Sequence, residues 1–150
     1  MSSNFNDVGL FHQKFDLDNA VERNHIGPRK PSEELIKFRL KFLKEELHEL
    51  EEGLEVHDLT KVADALIDLA YVTFGFAHVL GLPWQELWNE VQKANMQKIR
   101  AIRAEDSTRG STYDVIKPKG WTPPNLEEVL EWYGWKRCDC GCGKIGVHQP

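Results

Sequence analysis

Five carboxylates stand out by their spacing. Glu45, Glu46 and Glu49 form an E-E-x-x-E cluster in which 45 and 49 are i,i+4 and 46 and 49 are i,i+3, so on a helix all three project to one side. Asp64 and Asp68 are also i,i+4, in a segment that is otherwise apolar. A lone carboxylate buried there is costly unless it is paired or metal-bound. Two antiparallel helices that offer carboxylates to one gap supply the hard oxygen ligands Mg²⁺ takes, together with retained waters and a phosphate-bearing substrate. Taken alone, the glutamates read equally well as a solvated helix face, which is how Glu51, Glu52 and Glu55 read. The alternative for Asp68 is a salt bridge, although the stripe around it offers no basic residue.

The elements that must position these groups are helical. Val8, Phe11 and Phe15 recur at helical spacing, which predicts a short amphipathic helix before Asp16, and Gly27-Pro28 and Pro31 mark 18–31 as a loop. Ser32 is placed to cap a second helix whose Ile36, Leu40, Leu43, Leu47, Leu50 and Leu54 repeat in steps of four and three. Asp58 or Thr60 caps a third helix, from about Thr60 to Leu80, apolar on nearly every side and therefore expected in the centre of a bundle or in a subunit interface. Gly81-Leu82-Pro83 stops it, and the spacing of Leu87, Val91, Ala94 and Ile102 predicts a fourth helix from Trp84 to about Ala104. Asn95 and Lys98 continue the stripe of Trp84, Trp88 and Val91, offering a sugar or base contact and a phosphate contact; their bland reading is an exposed helix end. A Pro/Gly-rich stretch and a short helical pattern at 126–130 follow. The expected fold is all-α, a bundle of about four main helices with an extended Pro/Gly-rich tail, oligomerising through helices because one bundle layer cannot cover the all-round apolar third helix.

The order of these motifs carries a family resemblance. Glu45-Glu46-Leu47-His48-Glu49-Leu50, then Asp64-Ala65-Leu66-Ile67-Asp68-Leu69-Ala70-Tyr71-Val72, then Val91-Gln92-Lys93-Ala94-Asn95-Met96-Gln97-Lys98, resembles the all-α nucleoside triphosphate pyrophosphatases. The nearest branch is that of the MazG-like and phosphoribosyl-ATP pyrophosphohydrolase-like proteins of bacteria and phages. The leader Val8-x-x-Phe11-His12-x-x-Phe15 and the tail from Asp114 to Trp121, with Pro123-Pro124-Asn125-Leu126, fit it too, so the resemblance spans residues 5–132. It implies Mg²⁺-dependent cleavage of a nucleoside triphosphate to monophosphate and pyrophosphate, in helical dimers or dimers of dimers, with Mn²⁺ able to replace Mg²⁺. Carried over by position, Glu46, Glu49 and Asp68 match the metal ligands, and Glu45 holds a further Mg²⁺ or orients the attacking water. Many relatives read E-x-x-D on the third helix, where this chain has Ala65; Asp64, one residue earlier, matches the D-A-L-x-D form of the phage-like branch. Rival readings are cleavage of phosphoribosyl-ATP or a guanosine alarmone, and a non-catalytic nucleotide-binding dimerisation module.

Around this centre, Phe11, His12 and Phe15 offer a base-stacking wall, against a plainer reading of Phe11 and Phe15 as core packing. Arg23, His25, Arg29, Lys117 and Lys119 are further loop cations within which phosphate neighbours are sought.

Composition narrows the class. With 150 residues, 41% of them hydrophobic, the chain is long enough for one globular domain, expected over 1–132 with a tail over 133–150. A net charge of −5 disfavours a nucleic-acid or anionic-membrane partner and suits a cation site. No secretory leader is visible and the uncharged stretch 69–85 is interrupted, so a cytoplasmic protein is expected, in the host cytoplasm if phage-encoded. Cys138, Cys140 and Cys142 are odd in number and clustered, which excludes a disulfide framework; with His148 they tempt a zinc reading, but adjacent cysteines one residue apart do not match zinc spacing.

Overall fold

The computed structural model describes residues 3–17, 26–138 and 145. It falls into two compact units, Met1–Leu82 with Tyr133–Pro150, and Pro83–Trp132. The fold is all-α, with one two-stranded ladder as its sheet among the described residues.

The first unit holds α1 (Asn4–Phe15), α2 (Glu33–Glu55) and α3 (Leu59–Leu80). Each begins on a side-chain cap that satisfies backbone N–H groups the helix itself leaves unpaired. Ser3 accepts from Asn6, Ser32 from Leu35, and the Asp58 carboxylate from Thr60 and Lys61. Gly81, at φ +68°, ends α3 in the left-handed conformation that glycine reaches without strain.

Helices α2 and α3 pack antiparallel in layers seven residues apart. Arg39 of α2 lies against Gly75 of α3, Glu46 is within electrostatic reach of Asp68, and Gly53 sits on Lys61 and Val62. Gly53 makes the last approach possible, because a Cβ there would be 3.1 Å from the Val62 backbone nitrogen. Helix α1 also runs antiparallel to α3: Phe5 meets Phe74 and His78, His12 meets Gly75, and Phe11 meets Tyr71. Its C-terminal end therefore points along α3 toward Asp68.

The pattern of burial departs from expectation at the apolar seam. Leu40, Leu47 and Leu54 of α2 are 48%, 48% and 56% exposed, and Leu59, Leu66 and Ile67 of α3 are 79%, 51% and 67% exposed. The all-round apolar α3 is covered by α2 on one side and by α1 along its C-terminal half, which leaves the outer face of its N-terminal half open. At 22 residues α3 is also long and apolar enough to cross a membrane on length and composition alone. Asp64, Asp68 and its packing on two capped helices are the features of a bundle helix.

The second unit holds α4 (Trp84–Asn95), a 3₁₀ turn, strands β1 (Ile99–Arg100) and β2 (Val115–Ile116), and α5 (Leu126–Trp132), which packs on α4. Helix α4 stops at Asn95 rather than near Ala104. The chain beyond gives its hydrogen bonds to a distant partner instead: β1 pairs antiparallel with β2, and the Ala101 N–H donates to the Asp114 carbonyl at 3.0 Å. The Trp121 indole N–H donates to the Ala94 carbonyl at 2.8 Å, supplying a partner for one of the carbonyls exposed at the helix end. Ile102, the expected last member of the α4 stripe, is 87% exposed.

Gly81 is the most exacting joint of the first unit, since a Cβ there would fall 2.2 Å from the Gly27 carbonyl oxygen, and the Gly27 N–H donates to the Gly81 carbonyl at 2.9 Å. Replacing it adds left-handed strain of about 1–2 kcal/mol to that collision. Gly81→Ala is expected to lower unfolding free energy by about 2 kcal/mol or more, read as a lower urea midpoint with unchanged m-value.

Candidate metal centre

The α2–α3 register brings all five carboxylates to one side of the helix pair. Glu46 is the centre of the group, only 7% exposed, while Asp68 is half-buried and Glu45, Glu49 and Asp64 are exposed. Burial raises the Glu46 carboxyl above the ordinary carboxylate range, and Glu49, Asp68, Glu45 and Asp64 each raise it further by repulsion. Every one of the five thus contributes to a single negative field.

No salt bridge among the described residues ties that field down. None of the five carboxylates makes an ion pair or a side-chain hydrogen bond there, so the salt bridge weighed for Asp68 does not form. His48, on the same helix, faces Glu51 and Glu52 instead, at 3.9 and 3.4 Å. Those solvated pairs are the bland pattern, and they set off the uncompensated five. The described residues contain no group of three or more His, Cys, Asp or Glu side chains already drawn into metal-binding geometry. Carboxylates without a cation between them repel, and the donor set is the all-oxygen one that suits Mg²⁺ or Mn²⁺. The residues fit such an ion.

A rim of aromatic rings borders this acidic layer. Phe11 and Phe15 are 40% and 52% exposed with ring centroids 4.8 Å apart, so core packing is not their role within this chain. Tyr71 meets Phe11 edge-on at 5.3 Å. It lies one turn beyond Asp68 on α3, a placement readable from sequence but hidden among the apolar residues of that helix. His12 stands behind this rim, buried, with its Nε2 accepting a hydrogen bond from Arg39 at 3.2 Å.

The remaining sequence-selected residues are distributed elsewhere. Asn95, Lys98 and Lys117 belong to the second unit, where Asn95 is the last residue of α4 and Lys98 is half-buried. The Lys117 ammonium lies 4.4 Å over the Trp121 ring, a cation–π contact. Arg29 is half-buried and Lys119 exposed, and Cys138 is half-buried. Arg23, His25, Cys140, Cys142 and His148 lie outside the described residues.

The model of the phosphoribosyl-ATP pyrophosphohydrolase family matches residues 11–95, which carry α2, α3 and every carboxylate of the centre. An uncharacterised protein, L479 of Acanthamoeba polyphaga mimivirus, is 32% identical over 82 residues, covering 54% of this chain. The chain spans about a third of that relative's length, 32%.

A carboxyl whose folded-state pKa is raised binds protons more readily folded than unfolded, so it costs stability above that pKa and ceases to do so as pH falls through it. Glu46 is therefore a liability in metal-free protein at neutral pH. Glu46→Gln is expected to raise the melting temperature of the metal-free protein at pH 7.5, with the gain shrinking toward pH 5. Calorimetric melts of both proteins across that range check it; an equal difference at both pH values would contradict the assignment.

Proposed function

The chain belongs to the phosphoribosyl-ATP pyrophosphohydrolase family, and from that premise we propose that it is a Mg²⁺-dependent nucleoside triphosphate pyrophosphohydrolase. It would cleave ribo- or deoxynucleoside triphosphates between the α and β phosphorus atoms, giving monophosphate and pyrophosphate in control of the nucleotide pool. One observation carries the reading: a buried Glu46 inside a field of four further carboxylates, with no counter-charge on any of them among the described residues. A buried carboxylate among like charges is costly unless a cation neutralises it.

Glu46, Glu49 and Asp68 would hold the ion, with Asp64 and Glu45 as further oxygen donors. Bound there, Mg²⁺ would supply positive charge against the triphosphate and acidify water. The protein's part is to fix the donors on two rigid helices, so that little reorganisation is needed as charge develops on the pyrophosphate leaving group. Glu45, exposed and adjacent to Glu46, is free to orient the attacking water and accept its proton. Phe11 and Phe15 present ring faces suited to a nucleobase. Within the second unit, Asn95 offers a neutral hydrogen-bonding group and Lys98 and Lys117 offer cations of the kind that sugars and phosphates take.

The open apolar face of α2 and α3 supports a homodimer or a homotetramer. Its leucines at 40, 47 and 54 repeat at seven residues, the period of helices that pack on helices. A second copy of this chain covers the same surface symmetrically. Sedimentation at micromolar concentration is expected to show a dimer or larger, and Leu47→Glu to shift it toward monomer; a monomer from the unaltered chain would contradict the assembly.

The catalytic reading is tested by a panel of ribo- and deoxynucleoside triphosphates with and without Mg²⁺, pyrophosphate and orthophosphate being quantified separately. Pyrophosphate released only with Mg²⁺ is expected. Asp68→Asn is expected to lower the rate by at least about a hundredfold, on the scale of losing a charge-stabilising group at a reaction centre, while leaving the helical circular dichroism signal intact. Unchanged turnover in that variant would remove Asp68 from the centre.

A further inference from the structure

Helix α1 is docked by polar bonds to an unusual degree. Only one of its apolar side chains, Val8, is fully buried; the other buried residue is His12. Beyond Val8, Phe5 meets Phe74 and Phe11 meets Tyr71 edge-on, but apolar burial is non-directional and sets the rotation and register of a twelve-residue helix only loosely. Two directional contacts set both. His78 of α3 hydrogen-bonds through Nε2 to the Phe5 carbonyl at 2.8 Å, and its ring stacks on Phe5 at 3.9 Å, which fixes the N-terminal end. At the other end Arg39 of α2 donates from Nη2 to His12 Nε2 at 3.2 Å, so this ring carries a bare Nε2 toward the guanidinium.

The helix pair makes room for that second contact. A Cβ on Gly75 would lie 2.7 Å from His12 Nε2 and 3.1 Å from Arg39 Nη1, so an alanine would displace the imidazole and crowd the guanidinium. Gly75 and Arg39 form the layer seven residues removed from that of Asp68 and Glu46 on their respective helices, about 10 Å along the axis at 1.5 Å per residue. Arg39 is thus built into the helix that carries Glu46, and through His12 it holds the helix that carries Phe11 and Phe15. His12 is adjacent to Phe11 and one turn before Phe15.

We infer that Arg39 is a positioning residue for nucleotide recognition: through His12, and in the space left by Gly75, it sets the placement of the Phe11–Phe15 rings relative to the carboxylate layer. Tyr71, edge-on to Phe11, supports them from α3. The inference rests on the nucleotide reading above. It assigns to Arg39 a part in recognising the base and none in cleaving the phosphate chain, and that division makes it testable. A ligand with a base needs the rings in place, whereas inorganic tripolyphosphate needs only the metal and its carboxylates.

The test is calorimetric binding, in Mg²⁺, of an α,β-methylene deoxynucleoside triphosphate, which cannot be cleaved at that bond, against inorganic tripolyphosphate. The native chain is expected to bind the nucleotide analogue about tenfold or more tightly than tripolyphosphate, the scale of one base stacked on an aromatic ring. Arg39→Met, which keeps the bulk and removes the buried donor, and Gly75→Ala, which displaces the imidazole, are each expected to erase that preference while tripolyphosphate affinity stays within about twofold. Steady-state kinetics should show the same split, with KM for the nucleotide raised and kcat retained. Equal weakening toward both ligands would mark a merely structural arginine and overturn the proposal. So would a preserved preference in either folded variant, or a native chain that binds the two ligands alike or binds neither. Failure of the catalytic reading is seen separately, as absence of Mg²⁺-dependent pyrophosphate release from natural triphosphates by the native chain, and leaves the binding comparison intact.

Discussion

The placement of Glu46 opposite Asp68 is the constraint on which the rest of the first unit depends. Two carboxylates facing across a helix pair, with three more at their edges, oppose the packing that brings them together. The helices hold that arrangement because other layers of the same interface favour it. Gly53 lets α2 reach the backbone of α3 at one end, and Gly75 admits a guanidinium and an imidazole at the other. The acidic layer lies between these two, on elements whose N-terminal ends are each secured by a side-chain cap. Stability is given up at Glu46 in the metal-free state, and a divalent cation bound as proposed would return it.

The same register explains why one stripe of α3 changes character along its length. Asp64 and Asp68 face the glutamates of α2; Tyr71, Gly75 and His78, continuing the stripe in steps of three and four, face α1. Helix α1 covers the part of α3 that lacks carboxylates and ends where they begin. The acidic layer consequently stays open on the side where Phe11 and Phe15 present their rings. Charge and aromatic surface thus adjoin within a single unit, the combination a metal-bound nucleotide requires.

Much of this was legible in the chain itself, because it depends on local spacing. The i,i+3 and i,i+4 carboxylates, the Ser32 and Asp58 caps and the break at Gly81 are written within a few residues of each other, and the helices follow them. The end of α4 was not legible. It is decided by Val115 and Ile116, which take the hydrogen bonds of Ile99 and Arg100 into a ladder that no periodicity near Asn95 announces. Arg39 was hidden for a related reason: an arginine on a helix reads as a solvated cation, and its burial depends on a glycine and a histidine on two other helices. The leucine repeat of α2 was visible as a pattern, but its exposure was not, because that depends on which faces of α2 the other helices of the chain cover.

Whether the carboxylates of α2 and α3 hold a divalent cation is read most directly from diffraction by crystals grown with Mn²⁺, because the anomalous signal of the ion marks its position without reference to activity. A peak is expected between α2 and α3 within coordinating distance of Glu46 and Asp68, with Glu49 beside them. A protein saturated with Mn²⁺ in solution whose crystals show no such peak, or show the ion held by other residues, would contradict that placement of the cation.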